Sequence, residues 1–290
     1  MQTFPVRDVR KETERNNRNM ELETERLILR PWRESDAEEL YELAKDPEVG
    51  PRAGWPVHTS RENSEEIIRN VLAAPETYAV IRKEDGRVLG SVGLKDLQLE
   101  SYLDSDSRAE LGYWIGRPFW GRGYMPEAAG RLVQHGFEDL KLERLICSYY
   151  EGNEQSRRVQ EKLGFVPDHI QRDADVPLLG VKRTEYWQVL LRPMYLQNKT
   201  RRKNRMNYTE SRYRICRREA DGTVSAEIEF PELTRGNYRI VRVFAAPQWE
   251  GKGVREELLE MAVDRIRERG GSVSSADPAV QDWLNRHPAR

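Results

Sequence analysis

Glu110-Leu-Gly-Tyr-Trp-Ile-Gly-Arg-Pro-Phe-Trp-Gly-Arg-Gly-Tyr-Met-Pro-Glu-Ala-Ala129 reads as a strand that runs through a glycine loop directly into a helix. Gly121 and Gly123 let the backbone come close to a bulky anion. The helix behind them would present its unpaired N–H groups and the positive end of its dipole to that charge. Pro126 suits the first helical turn, where a missing N–H removes no hydrogen bond. Met125, Ala128, Ala129, Leu132, Val133, Phe137 and Leu140 recur at helical spacing, so one face of the helix is assigned to the core and the loop is expected to be held rigidly. This is the layout of a site for a phosphorylated cofactor, although two glycines alone also fit an ordinary tight turn.

The chain downstream decides between them. Tyr149-Tyr-Glu-Gly-Asn-Glu-Gln-Ser-Arg-Arg-Val-Gln-Glu-Lys-Leu-Gly-Phe165 follows a strand read at Arg144 to Ser148, and carries an Asn-x-x-Ser step ahead of a short helix closing at Leu-Gly-Phe. With Trp120-Gly-Arg-Gly-Tyr-Met-Pro-Glu-Ala128, this block resembles the GNAT superfamily of acyl-CoA-dependent N-acyltransferases, over roughly Glu23 to Tyr195. Within it the chain looks most like the Rim-type branch, which acetylates protein N-termini and in places small amines. A dinucleotide site would need Gly-x-Gly-x-x-Gly after the first strand and an acid about 20 residues on, and neither is present.

The resemblance implies an α/β (α+β) fold, a mixed central sheet with splayed strands four and five flanked by helices. The remaining chain repeats the opening motif: strands read at 213–217, 223–230 and 239–245 lead into Gln248-Trp-Glu-Gly-Lys-Gly253 and a helix carrying Val254, Leu258, Leu259, Ala262, Val263 and Ile266. It is similar to small stand-alone GNAT-like domains that end in a His-Pro step, here His287-Pro288. Two tandem copies are expected, the second small: a flexible leader at 1–20, a first domain at 21–196, a basic linker at 197–207 and a second domain at 208–290.

In the first domain, Ser35-Asp-Ala-Glu38 and Thr59-x-x-Glu62 read as capping boxes opening two helices, and Asp85-Gly86 as the turn of a hairpin. Composition bounds the function. With 48 basic and 49 acidic residues in 290, no net charge argues for nucleic acid, and the basic run at 197–207 is read as a solvated connector rather than an RNA tether. Two distant cysteines, Cys147 and Cys216, suggest free thiols in a reducing compartment, and four histidines show no metal-ligand spacing. No apolar run approaches the roughly 18 residues that span a bilayer. A cytoplasmic, metal-free protein without membrane partners is expected.

The resemblance also implies chemistry, acetyl-CoA serving as cosubstrate and an amine, such as a protein N-terminus, attacking it directly in a ternary complex. Such a transfer needs a neutral nucleophile, a stabilised oxyanion and a proton for the leaving thiol. Glu110 is the candidate base, acting through water, with His58 as an alternative. Backbone near Trp114, Ile115 and Gly116 would take the pantetheine arm, and the amides of Gly121, Arg122, Gly123, Tyr124 and Met125 the pyrophosphate. Many relatives place a tyrosine where this chain has Gln160, so Ser156 is assigned as the thiol-facing donor, with Asn153 contacting the cofactor or ordering its loop; helix capping is the plainer role for both. Trp55 and His58 are candidates for the acceptor pocket, with Asp168, Tyr186 and Trp187 behind them. A lysine pKa of about 10.4 against about 7.7–8.0 for an α-amine makes deprotonation roughly 3 to 4 kcal/mol harder, which favours a weakly basic acceptor. The second copy lacks the cysteine that its relatives carry before the final His-Pro, Asp277 standing there, and Glu250 flanks its loop. A protein that senses acyl-CoA or binds a partner without turnover is the alternative that Gln160 and Asp277 motivate.

Overall fold

The computed structural model describes residues 20–98, 107–205 and 208–287, with 201–205 as backbone alone. Two compact units divide between Gln197 and Asn198. The expected leader, but for Met20, and Pro288 lie outside the described residues.

The first unit is built on an eight-stranded sheet in the order β1 (Leu22–Glu23), β2 (Leu27–Pro31), β3 (Thr77–Arg82), β4 (Val88–Gln98), β5 (Arg108–Ile115), β6 (Arg144–Tyr150), β8 (Val181–Leu191), β7 (Val166–Val176). Every neighbouring pair is antiparallel except β5 and β6. A parallel pair needs a crossover, and α3 (Tyr124–Glu138) supplies it. Met125, Ala128, Ala129, Leu132, Val133 and Phe137 are all buried against the sheet, as the periodicity requires. Each large side chain among them contributes about 1.5–3 kcal/mol by leaving water, which fixes the glycine loop to the core.

Several local readings shift. Helix α1 (Ala37–Ala44) starts after a 3-10 turn, and Asp36 rather than Ser35 organises that start, accepting from the Arg33 amide at 2.9 Å and from Arg30 at 2.7 and 2.8 Å. Helix α2 (Arg61–Ile67), extended by a π turn through Leu72, is capped by Ser60, whose Oγ accepts from the Asn63 amide at 3.1 Å while Asn63 Oδ1 accepts from Thr59 N. The box therefore lies one residue beyond Thr59 and Glu62. Strand β7 had no period-two signal because it is an edge strand, exposed over most of its length, interrupted by Pro167 and two register shifts. Helix α4 (Glu154–Leu163) ends on Gly164 in the left-handed region, at φ +93°.

The stretch read as a linker at 197–207 is largely helical: α5 (Arg192–Arg205) continues directly from β8. Tyr195 stacks on Phe137 at 4.8 Å and holds the helix start to the core. The Gln, Lys and Arg residues beyond are strong helix formers even without an apolar stripe.

Beneath α3 lies a buried polar cluster. His135 Nε2 is 3.1 Å from Glu76 and Nδ1 2.7 Å from Asp139, and Tyr78 donates to Glu76 at 2.8 Å. Burial favours the neutral imidazole, but the two carboxylates outweigh it and the His135 pKa is raised above its ordinary value. Its contribution is therefore complete below about pH 6.5 and is lost as pH rises through the raised value. Thermal melts between about pH 6 and 9 should show the melting temperature of the protein falling across that window, and His135→Gln should flatten the slope.

The second unit holds a four-stranded sheet, β14 (Arg242–Ala245), β11 (Val224–Glu229), β10 (Arg214–Arg218), β9 (Tyr208–Glu210), and a three-stranded one, β12 (Glu232–Thr234), β13 (Asn237–Ile240), β15 (Ser272–Ser275). The strand expected at 239–245 is broken at Val241, its first part pairing with β15 and its second with β11. Gly251 and Gly253, at φ +71° and +72° after a 3-10 turn, reproduce Gly121 and Gly123 at +74° and +77°, and α6 (Val254–Glu268) follows as α3 does. The two loops share one backbone conformation. Asp277 caps α7 (Pro278–Arg286), accepting from Ala279 N and Val280 N, so it has a structural task at the position where the resemblance led to a thiol being expected.

Candidate functional site

β5 and β6 pair over only three residues, Arg108, Ala109 and Glu110 with Arg144, Leu145 and Ile146. Beyond Glu110 each strand keeps its other partner, β5 pairing with β4 through Ile115 and β6 with β8 through Tyr150. The sheet therefore opens into a wedge. A cleft of about 470 Å³ occupies it, lined among others by Glu110, Tyr113, Trp114, Ile115, Gly121, Gly123, Tyr124, Met125, Asn153 and Ser156.

The pleat sorts what faces what. The Gly116 amide donates to Leu89 O on β4 at 2.8 Å. By the two-residue period the backbones of Trp114 and Gly112 also turn to β4, whereas those of Tyr113 and Ile115 turn outward into the wedge. Trp120 Nε1, donating to Ile115 O at 2.8 Å, confirms that direction. Of the three residues expected to bind an extended arm, Ile115 alone presents an outward backbone. Trp114 contributes its side chain instead, and Gly116 is a packing position where a Cβ would meet Leu43 at 2.6 Å. Tyr113, which is not among the three, shares that outward direction.

Side chains alternate likewise. Trp114 faces the α2 side, in edge contact with Trp55 at 5.6 Å, and Glu110 shares that face. Tyr113 faces α4, its hydroxyl 2.9 Å from Ser156 Oγ and 3.1 Å from Ser156 O. Gln160, fully buried, donates to Ser156 Oγ at 3.2 Å and to Ser148 O at 2.9 Å. The residue that stands in the tyrosine position thus orients the serine, and a tyrosine reaches it from the strand. No local motif signals that pairing, because it depends on the register of β5 against α4.

Electrostatics differ on the two faces. Burial raises the Glu110 carboxyl above the ordinary carboxylate range; Lys95, its cross-strand neighbour, opposes this, and Asp96 and Glu185 add to it. The side chain accepts no hydrogen bond among the described residues. Glu185, a second carboxylate in the cleft that sequence reading passed over, is held by Ser148 Oγ at 2.6 Å. Burial keeps the Tyr113 phenol well above its ordinary value and pushes the Cys147 thiol up, so both stay protonated and Cys147 is inert.

At the loop, the amides of Gly121, Arg122, Gly123, Tyr124 and Met125 donate to no acceptor among the described residues, and no side chain caps the helix. Open amides at a helix start suit an anion. The Arg122 side chain does not line the cleft; its carbonyl accepts from Arg26 at 3.2 Å. Arg26 Nε donates to Glu127 at 2.7 Å, and Glu127 also accepts from Thr24 at 2.6 Å, so the turn between β1 and β2 clamps the loop from outside the motif. Asn153 caps α4, accepting from Ser156 N at 3.2 Å, and donates to Arg52 O at 3.3 Å, which combines the capping and loop-ordering roles.

Trp55 and His58 line a second, larger cavity on the α2 side, which meets the cleft along Gly112, Tyr113 and Trp114. His58 is buried, its Nδ1 2.8 Å from Ser64 Oγ, and burial lowers its pKa. It ties the loop to α2 and is not brought to Glu110's cleft, which argues against its use as the base. Asp168 pairs with His169 on exposed β7, Trp187 stacks on His169, and Tyr186 on Tyr149. None of these three lines the cleft. Among the described residues no group of three or more His, Cys, Asp or Glu could hold a metal ion, and no helix is long and apolar enough to cross a membrane.

Comparisons with known proteins agree with this geometry. Residues 26–166 match the acetyltransferase (GNAT) domain family, and residues 212–290 match the GCN5-related N-acetyl-transferase family. The uncharacterised N-acetyltransferase p20 of Bacillus licheniformis is 29% identical over 178 residues, covering 57% of this chain and 97% of that protein. The ribosomal-protein-serine acetyltransferase of Escherichia coli is 25% identical over 126 residues, covering 42% of this chain and 67% of that protein. Among solved structures, a GNAT-family acetyltransferase from Bacillus anthracis superposes with a TM-score of 0.52 at 24% identity, over 60% of this chain and 99% of the other, a likeness of fold. The wedge, the glycine loop and the two family matches place this chain in the GNAT N-acetyltransferases, with two domains of that family in tandem.

Proposed function

We propose that the first unit transfers acetyl from acetyl-CoA to a primary amine, a protein N-terminal α-amine or a small-molecule amine, with both substrates bound together. The observation that carries this reading is the wedge itself, with a carboxylate on one face, a hydroxyl pair on the other and an anion cradle at its mouth. The residues present suit the cosubstrate. The free amides of Gly121 to Met125 would hold its diphosphate and the outward backbones of Tyr113 and Ile115 its extended arm. Acetyl-CoA supplies a thioester-activated acetyl group and a thiol as leaving group.

The protein's part is proton handling and positioning. Glu110 takes a proton from the amine through a water, and its raised pKa brings it nearer to that of the group it serves. Ser156 Oγ holds a donatable proton on the opposite side. Gln160 donates to that oxygen and the Tyr113 hydroxyl lies 2.9 Å from it; with Tyr113 as the donor of that pair, the serine proton is left to face the cleft. Because a thiol of pKa about 8.5 leaves readily, this donor is worth less than the base.

Acetyl-CoA titration by calorimetry and CoA release over an amine panel test the reading; no binding at millimolar cosubstrate would sink it. Ser156→Ala and Tyr113→Phe should each lower kcat about tenfold with little change in acetyl-CoA affinity. Unchanged kcat in both variants would remove the serine from the mechanism.

A further inference from the structure

We propose that the acceptor is a peptide N-terminus whose first residues carry apolar side chains. This rests on the amine-acetylation reading above and adds the substrate's chemistry. The cavity on the α2 face has a volume of about 1540 Å³, beyond the roughly 300–1,000 Å³ usual for small-molecule pockets. Room is therefore left for several residues behind the reacting amine. It adjoins the cleft, the two sharing Ala53, Lys95, Gly112, Tyr113 and Trp114 as lining, and Lys95 is the cross-strand neighbour of Glu110, so a chain lying in it would bring its end towards the carboxylate.

Its walls are mostly apolar. Trp55, Ile67, Leu72 and Leu97 line it, and Val71 and Leu178 stand at its rim with 59% and 70% of their surface in water. Apolar surface left exposed around a groove that leads to reacting groups gains by being covered.

Charge disfavours the competing small amines. Of the described residues lining the cavity, Lys95 and Asp96 are the only ones of basic or acidic type besides His58, whose imidazole burial shifts towards the neutral form. A polyamine or aminoglycoside would set its further ammonium groups, beyond the one at the cleft, against the single carboxylate of the cavity, Asp96, with Lys95 repelling them. An N-terminal α-amine on a neutral, apolar body brings a single charge. Lys95, beside Glu110, also favours loss of the amine's proton, which an α-amine of pKa about 7.7–8.0 gives up near neutral pH.

The experiment uses the full chain with two readouts. Peptides of sequence Ala-Leu-Phe-Leu and Ala-Asp-Ser-Glu, and spermidine, are titrated by tryptophan fluorescence and assayed for CoA release with acetyl-CoA. The apolar peptide should bind and turn over about tenfold better than the acidic one, with spermidine poorer than either. Val71→Asp and Leu178→Asp, both exposed and so tolerable to the fold, should remove that preference while acetyl-CoA affinity, read by calorimetry, is unchanged. Equal kcat/KM across the panel, or a preference for spermidine, overturns the groove assignment and leaves acetyl transfer standing. Binding of the apolar peptide that depends on Val71 and Leu178 without CoA release from any acceptor upholds the groove and overturns the transfer reading.

Discussion

Glu110→Gln is expected to lower kcat by about 10²- to 10⁴-fold, the range that a positioned general base contributes. The substitution keeps the shape and removes the charge, so acetyl-CoA affinity should hold. The pH profile gives the decisive readout. Burial raises the Glu110 pKa, with Asp96 and Glu185 adding to it and Lys95 restraining it, so wild-type activity should climb as pH rises through a value above the ordinary carboxylate one. In the glutamine variant that acidic limb should vanish, and the remaining rise should follow the acceptor amine's own titration. An unchanged kcat with the same profile would show that the amine arrives already neutral and that Glu110 has no part in proton removal. Lys95→Met gives a second check. Loss of the neighbouring cation should move the wild-type limb to higher pH, since the cation favours the ionised carboxylate.

How much of this could be read from the chain follows from the range of the interactions. The glycine loop and α3 were legible because their chemistry is local: two glycines at left-handed φ, a proline in the first turn and six buried side chains at helical spacing lie within one continuous stretch. Asn153 and Ser156 were legible for the same reason, as a cap and the residue it holds. What failed was mostly a matter of parity or partnership. Whether Trp114 or Tyr113 turns its backbone into the wedge depends on one residue of register against β4, which the Gly116 to Leu89 bond settles. Arg26 and Glu127, the clamp on the loop, are about a hundred residues apart in the chain and carry no motif. His58 had a suitable ordinary pKa for a base, but Ser64 and burial claim it. The helix through 192–205 was missed because an apolar stripe was the signal sought, whereas its anchor is a stack at one end.

The glycine loop sets the second large effect, and the double variant Gly121→Ala/Gly123→Ala should bind acetyl-CoA about 30- to 1,000-fold more weakly. Both residues sit at positive φ, +74° and +77°, where an L side chain costs about 1–2 kcal/mol each. The free loop can relax out of that conformation, and binding must then restore it, so about 2–4 kcal/mol of strain reappears as lost affinity, at 1.4 kcal/mol per tenfold. The methyl groups themselves are not at fault. At Gly121 an added Cβ meets nothing within 4 Å, and at Gly123 its nearest neighbour is an Arg26 nitrogen at 3.5 Å, an ordinary contact. Core damage is thus excluded as the cause, and the loss lies in the direction of the amides. Gly86→Ala supplies the comparison, because Gly86 is also left-handed, at +72°, also meets nothing within 4 Å, and turns the hairpin between β3 and β4 away from the cleft. It should lower the melting temperature, because the paired strands hold that turn in place, and leave acetyl-CoA affinity untouched. If calorimetry gives the double variant and Gly86→Ala the same acetyl-CoA affinity, the amides of Gly121 to Met125 are not the anion cradle, and the diphosphate must be held elsewhere along the wedge.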